Sequence, residues 1–112
     1  MDLHYIANAL EAELDHAPID WEQVDIESVY ASDLMSDVLM CDRDELLLVT
    51  SLSTEQSIRS AGIVGAKAVV IANRKTVTAG MIELAKNQKI VLMRTRFPKY
   101  ETCLRIGRVM ES

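Results

Sequence analysis

The sequence is short of the residues that most small-domain chemistry relies on. Its 112 residues include two cysteines, Cys41 and Cys103, with no CxxC spacing. That excludes a disulfide scaffold and a zinc knuckle, and leaves free thiols in a reducing compartment as the expectation. Aromatic residues make up 4%, with one Trp, one Phe and three Tyr, so an aromatic sandwich for the base of a ligand is not expected. No apolar run approaches the ~20 residues of a membrane span. The opening segment, residues 1–10, lacks a basic n-region and a long apolar core, which argues against a signal peptide. A cytoplasmic location is therefore expected, with no membrane partner. Residues 1–45 are almost without basic side chains: thirteen acidic residues face one basic residue, Arg43, for a charge of −12. Residues 46–112 carry four acidic and eleven basic side chains, or +7, so the whole is −5. An acidic whole disfavours nucleic acid, whose binding rests on neutralising many phosphates. The basic part could hold one small anion. Alternatively, the two parts attract each other across the fold or across a dimer.

Three apolar runs are present: Leu46–Val49, Ala68–Ala72 and Ile90–Met93, beginning 22 residues apart. Short, continuous and aliphatic, they read as strands buried on both faces. Each is followed by a helical pattern. Ser53 and Gln56 suit a capping box ahead of Ile58, Ala61 and Gly62. Met81, Leu84 and Ala85 share a face in the next helix. Pro98 suits a first turn ahead of a stripe of Tyr100, Cys103, Leu104 and Gly107. Twenty-two residues before Leu46 stands Val24, and Val24, Ile26 and Tyr30 alternate with polar residues as in a half-exposed strand. Ser32, Thr54, Thr76 and Pro98 recur just before the helix bodies. The first 23 residues add a helix over 3–10, with Leu3, Ile6, Ala7 and Leu10 on one face, and a short strand around Ala12–Leu14. Trp21 is expected to anchor the connection to the core. The expectation is one α/β domain over residues 1–112. It has three layers: a mostly parallel sheet with helices on both faces, built from four β–α units.

Candidate chemistry is sparse. Asp33 and Asp37 lie one helical turn apart, which fits either a paired-carboxylate site or a helix start. Ser32 as N-cap, Asp33 in the first turn and a buried stripe of Leu34, Val38 and Cys41 favour the helix start. Asp42, Asp44 and Glu45 follow in no known metal-loop spacing, and no metal or cofactor is expected. The sequence has no GxxxxGK[ST] loop, GxGxxG or GxSxG motif. His4 and His16 have no evident partner, and both cysteines fall on helical stripes. An enzyme is therefore not expected.

The carboxyl ends of the strands are richer. Thr50, Ser51, Ser53 and Thr54 follow the first run. Asn73, Arg74, Lys75 and Thr76 follow the second. Arg94, Thr95, Arg96 and Lys99 follow the third. In an open parallel sheet ligands bind beyond these ends. Ser51, Ser53, Asn73, Arg74, Thr95 and Arg96 form the candidate ligand site, suited to a small anionic metabolite or nucleotide. The competing reading is that the hydroxyls cap helices and the basic residues are solvated. Phe97 and Tyr100 are the aromatics near this rim.

The segments VYASDLMSDVL (29–39), LLLVTSLSTEQSIRSAGIVGAKAVVIANRK (46–75) and IVLMRTRFPKYETCLRIG (90–107) resemble the DRTGG domain family. The resemblance covers nearly the whole chain, and SDLMSDVL is its most specific part. At the name-giving motif the sequence carries Asp25-Ile26-Glu27-Ser28-Val29 and keeps only the aspartate. The resemblance implies an α/β domain similar to the N-terminal domain of HPr kinase, without that kinase's phosphate loop. Such domains serve as regulatory inserts, beside CBS domains in pyrophosphatases or next to phosphotransacetylase domains, and they also occur alone. They tend to self-associate and have no established catalytic activity. A non-enzymatic, homodimeric regulatory or ligand-sensing module is thus expected. A structural adaptor that binds a partner protein and no small molecule is the alternative. A small enzyme working at the rim is a third.

Overall fold

A computed structural model describes residues 1–111. In chain order the elements are α1 Leu3–Ala9, β1 Glu13–His16, a 3-10 turn Trp21–Gln23, β2 Ser28–Ala31, α2 Met35–Val38, β3 Leu46–Thr50, α3 Glu55–Ile63, β4 Ala68–Ile71, α4 Ala79–Gln88, β5 Val91–Arg94 and α5 Lys99–Met110. The five strands form one sheet in the order β1-β5-β4-β3-β2. β2 to β5 are parallel neighbours, and β1 is antiparallel at the β5 edge. The fold is thus α/β with a mostly parallel sheet. Among the described residues, no helix is long and apolar enough to cross a membrane.

Alternation along each strand divides the core. Leu46, Leu48, Val69, Ile71 and Leu92 pack with Val38 of α2, Ile58 and Ala61 of α3, and Met81 and Ala85 of α4. Leu47, Val49, Ala68, Val70, Val91 and Met93 pack with Leu3, Ile6 and Ala7 of α1 and Ile106 of α5. Sequential parallel strands joined by right-handed crossovers place every joining helix on the same face. That accounts for α2, α3 and α4 sharing one cluster. The helices on the other face come from outside the crossovers, before β2 and after β5.

Several local expectations are corrected. The segment 24–27 is not strand. Leu3 N–H donates to Val24 O at 2.9 Å and Ile26 N–H to Met1 O at 2.9 Å, so this backbone pairs with the N-terminal segment and reaches β3 only from Ser28. Helix α2 begins at Met35, not near Ser32. Ser32 Oγ instead accepts from Leu34 N–H at 3.0 Å in a turn ahead of the helix. Val38 is buried, but Leu34 is exposed and Cys41 half-buried. The Ser53–Gln56 box is replaced by Thr54, whose hydroxyl caps α3 through Ser57 N–H. Thr78, not Thr76, caps α4 through Met81 N–H. On α5 the buried residues are Thr102 and Ile106; Tyr100 is exposed and Cys103 half-buried. Trp21 packs partly buried against the α1–α5 cluster, as expected.

Candidate functional site at the carboxyl rim

The connection after β4 leads to α4 on one face of the sheet, and the connection after β5 leads to α5 on the other. Adjacent parallel strands whose exits diverge leave a crevice at their carboxyl ends, the usual ligand position in open α/β sheets. A cavity of about 160 Å³ lies there, lined by Glu11, Glu13, Arg74, Lys75, Arg94, Thr95 and Arg96.

The backbone around this cavity is unusual. Asn73 and Arg74 are consecutive residues at φ 73° and 57°, and Glu11 has φ 50°. Asparagine tolerates the left-handed region; for arginine and glutamate it costs about 1–2 kcal/mol. The turn at 73–74 is held by Asn73 N–H donating to Phe97 O at 2.7 Å and Arg74 N–H donating to Thr95 O at 3.1 Å. These bonds tie the β4 exit to the β5 exit. Strained backbone persists only where surrounding structure over-determines it, commonly at functional sites.

The charges in the cavity are unequally matched. Arg94 Nε donates to both oxygens of Asp15, at 3.1 and 3.0 Å, and Arg94 also pairs with Glu13 at 3.0 Å. Arg96 pairs with Glu11 at 3.0 Å and lies over the Phe97 ring, 4.7 Å from its centroid. The side chains of Arg74 and Lys75 have no ion pair or hydrogen bond among the described residues. The cavity therefore keeps uncompensated positive charge on the β4 exit loop. Much of the charge asymmetry of the sequence is resolved inside the fold. Lys67–Glu45, Arg94–Glu13, Arg94–Asp15, Arg96–Glu11, Lys99–Asp33 and Arg105–Glu11 all join the acidic first part to the basic remainder.

A second polar group sits at the other end of the rim, over β2 and β3. Asp33 accepts from Thr50 Oγ1 at 2.9 Å, Ser51 N–H at 2.7 Å, Ser51 Oγ at 2.6 Å and Lys99 Nζ at 2.5 Å. Partial burial raises the carboxyl pKa, but the bonds from Lys99, Ser51 and Thr50 together outweigh it and hold it well below the usual aspartate range. Asp33 is therefore neither half of a carboxylate pair with Asp37 nor a first-turn dipole residue; it clamps the β2 exit to β3 and α5. No group of three or more His, Cys, Asp or Glu among the described residues could hold a metal ion.

Of the six sequence-predicted site residues, Arg74, Thr95 and Arg96 line the cavity, and Asn73 forms the turn beside it. Ser51 lies with Asp33, and Ser53 Oγ donates to Thr76 O; neither lines the cavity. Thr95 Oγ1 donates to Leu10 O at 2.7 Å, so its hydroxyl is engaged within the fold. Glu11, Glu13 and Asp33 were outside the sequence-predicted set. Equivalent positions of successive units do not by themselves meet, so the Asp33–Lys99 contact had no signal in the 22-residue repeat. The glutamates had none, because their role depends on β1 lying beside β5. Burial pushes the Cys103 thiol up, against the opposing field of Lys99, which suits a packing residue rather than a nucleophile.

No protein-family profile matches the sequence, and no curated protein sequence matches it. Among solved structures, the chain is similar to the CBS and DRTGG domains of the regulatory region of a Clostridium perfringens pyrophosphatase, complexed with the activator diadenosine tetraphosphate. The TM-score is 0.75 at 15% identity, over 96% of this chain and 46% of that one. This chain therefore spans about half of the structure it matches. At that identity the likeness concerns the fold, and the chain has a DRTGG-like fold.

Proposed function

We propose that this chain is a non-enzymatic, cytoplasmic regulatory module of four β–α units in three layers. It senses a small anionic metabolite or nucleotide at the carboxyl rim of its sheet. The observation that carries this reading is the β4–β5 cavity, where Arg74 and Lys75 remain without partners. Arg74 and Arg96 supply charge-assisted contacts, and the left-handed turn at 73–74 presents Arg74. Ser51 and Ser53, on the loop after β3, lie outside this cavity, bonded to Asp33 and to Thr76 O, and are not assigned to it. The similar pyrophosphatase region was solved with a nucleotide activator, which fits a sensing role for this fold. The test is a thermal-shift screen against nucleotides and phosphorylated metabolites. A ligand at 100 times its Kd adds about 2.7 kcal/mol of stability. Absence of any shift across the panel would overturn the reading.

A second reading, a dimerisation or adaptor domain, has its own observation. Leu34, Leu39 and Met40 are exposed within seven residues around α2, and Ile63 is exposed at the end of α3. In this reading the surface binds a protein partner and the rim binds no small molecule, whereas a homodimer is expected of the sensing module. Light scattering across a dilution series is expected to give about twice the 12.5 kDa chain mass. A monomer at every concentration would remove dimerisation from the proposal.

A further inference from the structure

Resting on the sensing reading, we infer that the β4–β5 cavity recognises a short condensed phosphate, free or as the tail of a nucleotide, and does not read the base. Size comes first. The cavity measures about 160 Å³. Pockets that enclose a drug-sized ligand measure ~300–1,000 Å³. That room favours a di- or triphosphate segment over an enclosed whole nucleotide. The cavity is not enclosed, so a longer ligand can extend out of it.

Charge comes second. Glu11, Glu13 and Asp15 already neutralise much of Arg94 and Arg96. Arg74 and Lys75 are adjacent, unpaired and on one loop. Two uncompensated cations complement a doubly charged phosphate group better than a single carboxylate, which would have to share a site lined by Glu11 and Glu13.

The missing stacking surface comes third. Phe97 is buried, with the guanidinium of Arg96 at 4.7 Å and that of Arg105 at 3.8 Å from its ring centroid. Its ring is thus occupied from within the chain. Tyr100 is exposed, but it does not line the cavity.

Calorimetric titration with pyrophosphate, tripolyphosphate, ATP, GTP and adenosine tests this. Tripolyphosphate, ATP and GTP are expected to bind within about threefold of one another, and adenosine not at all. Pyrophosphate binding separates a need for two phosphates from a need for three. The double variant Arg74→Asn, Lys75→Gln, chosen because asparagine tolerates the left-handed backbone, should weaken every phosphate ligand by about tenfold per lost charge. Tyr100→Ala should leave the affinities unchanged. If nucleotides bind and tripolyphosphate does not, or if Tyr100→Ala selectively weakens nucleotides, the base is read: the inference falls and the sensing module stands. If phosphate ligands bind the double variant as tightly as wild type, this cavity is not their site and the inference falls. If nothing binds, the sensing reading falls and takes this inference with it.

Discussion

At the β2–β3 end of the rim, Asp33 receives four hydrogen bonds from Thr50, Ser51 and Lys99. At the β4–β5 end, the side chains of Arg74 and Lys75 donate none to the described residues. Both ends are built from the same materials: loops of Ser, Thr, Asn, Arg and Lys at the carboxyl termini of parallel strands. The difference lies in which acids the fold brings near. The β2 exit carries its own aspartate into reach of a lysine that starts α5. The β4 exit has no acid of its own, and the acids that β1 delivers are taken by Arg94 and Arg96. Satisfied polar groups hold a fold together, whereas charge left over in a cavity at a topological switch point suits a ligand. The first end is thus a clamp, and the second is the candidate receptor.

The largest effect should come from removing the floor beneath both ends. Leu48 of β3 and Leu92 of β5 are fully buried in one cluster. Either Leu→Ala change should cost about 2–5 kcal/mol, read as a lowered urea midpoint. Against a typical total of ~5–15 kcal/mol, that leaves little margin. A loss below ~1 kcal/mol would mean that the sheet does not support the rim as described.

Next in size is the clamp. Asp33→Asn should cost about 1–2 kcal/mol, because charge-assisted bonds to a half-exposed carboxylate are discounted by solvent. The effect must depend on pH. Since the folded carboxyl ionises more readily than a free one, its contribution is full above the ordinary aspartate pKa of about 3.9. It is lost as pH falls from there through the depressed folded value. The gap between wild type and Asp33→Asn, measured by denaturation from pH 7 downward, should narrow in that window. A gap that stays constant would show that Asp33 acts through something other than its charge.

Smaller still is Arg96→Ala. It removes one half-exposed ion pair with Glu11 and one guanidinium over Phe97, together about 1 kcal/mol. A much larger loss would place Arg96 with the clamp, as a structural residue.

How much of this was legible in the sequence depended on range. The β3, β4 and β5 runs are aliphatic without interruption and buried throughout, so their pattern needed no context. The α1 stripe of Leu3, Ile6, Ala7 and Leu10 was equally plain. The half-exposed strand expected from Val24 begins only at Ser28, because an apolar, alternating stretch can pair with more than one partner, and here Met1–Leu3 took the backbone of 24–26. The α5 stripe was misplaced by about one residue in phase. Tyr100 and Cys103 fitted a helical spacing, yet Thr102 is buried, its hydroxyl satisfied by donating to Pro98 O and Phe97 O. At the rim, the basic residues were readable from their place after each strand. Which of them would be neutralised was not, since that depended on β1 docking antiparallel beside β5.

The smallest expected effect on stability is at the receptor end, and it bears most directly on the comparison. Arg74→Asn with Lys75→Gln removes two cations that the described residues leave unpaired. Nothing in the fold loses a partner, and asparagine relieves part of the strain at φ 57°. The double variant should therefore match wild type within ~0.5 kcal/mol in the urea midpoint, or gain slightly. Asp33→Asn, at the clamp, changes a single side chain and should cost more than both of these changes together. If the double variant were clearly destabilised, Arg74 and Lys75 would have structural partners, and the two ends of the rim would be two clamps. If it is stable and its phosphate affinity collapses, stability and binding separate along one sheet edge: the β2–β3 end holds the fold, and the β4–β5 end holds the ligand.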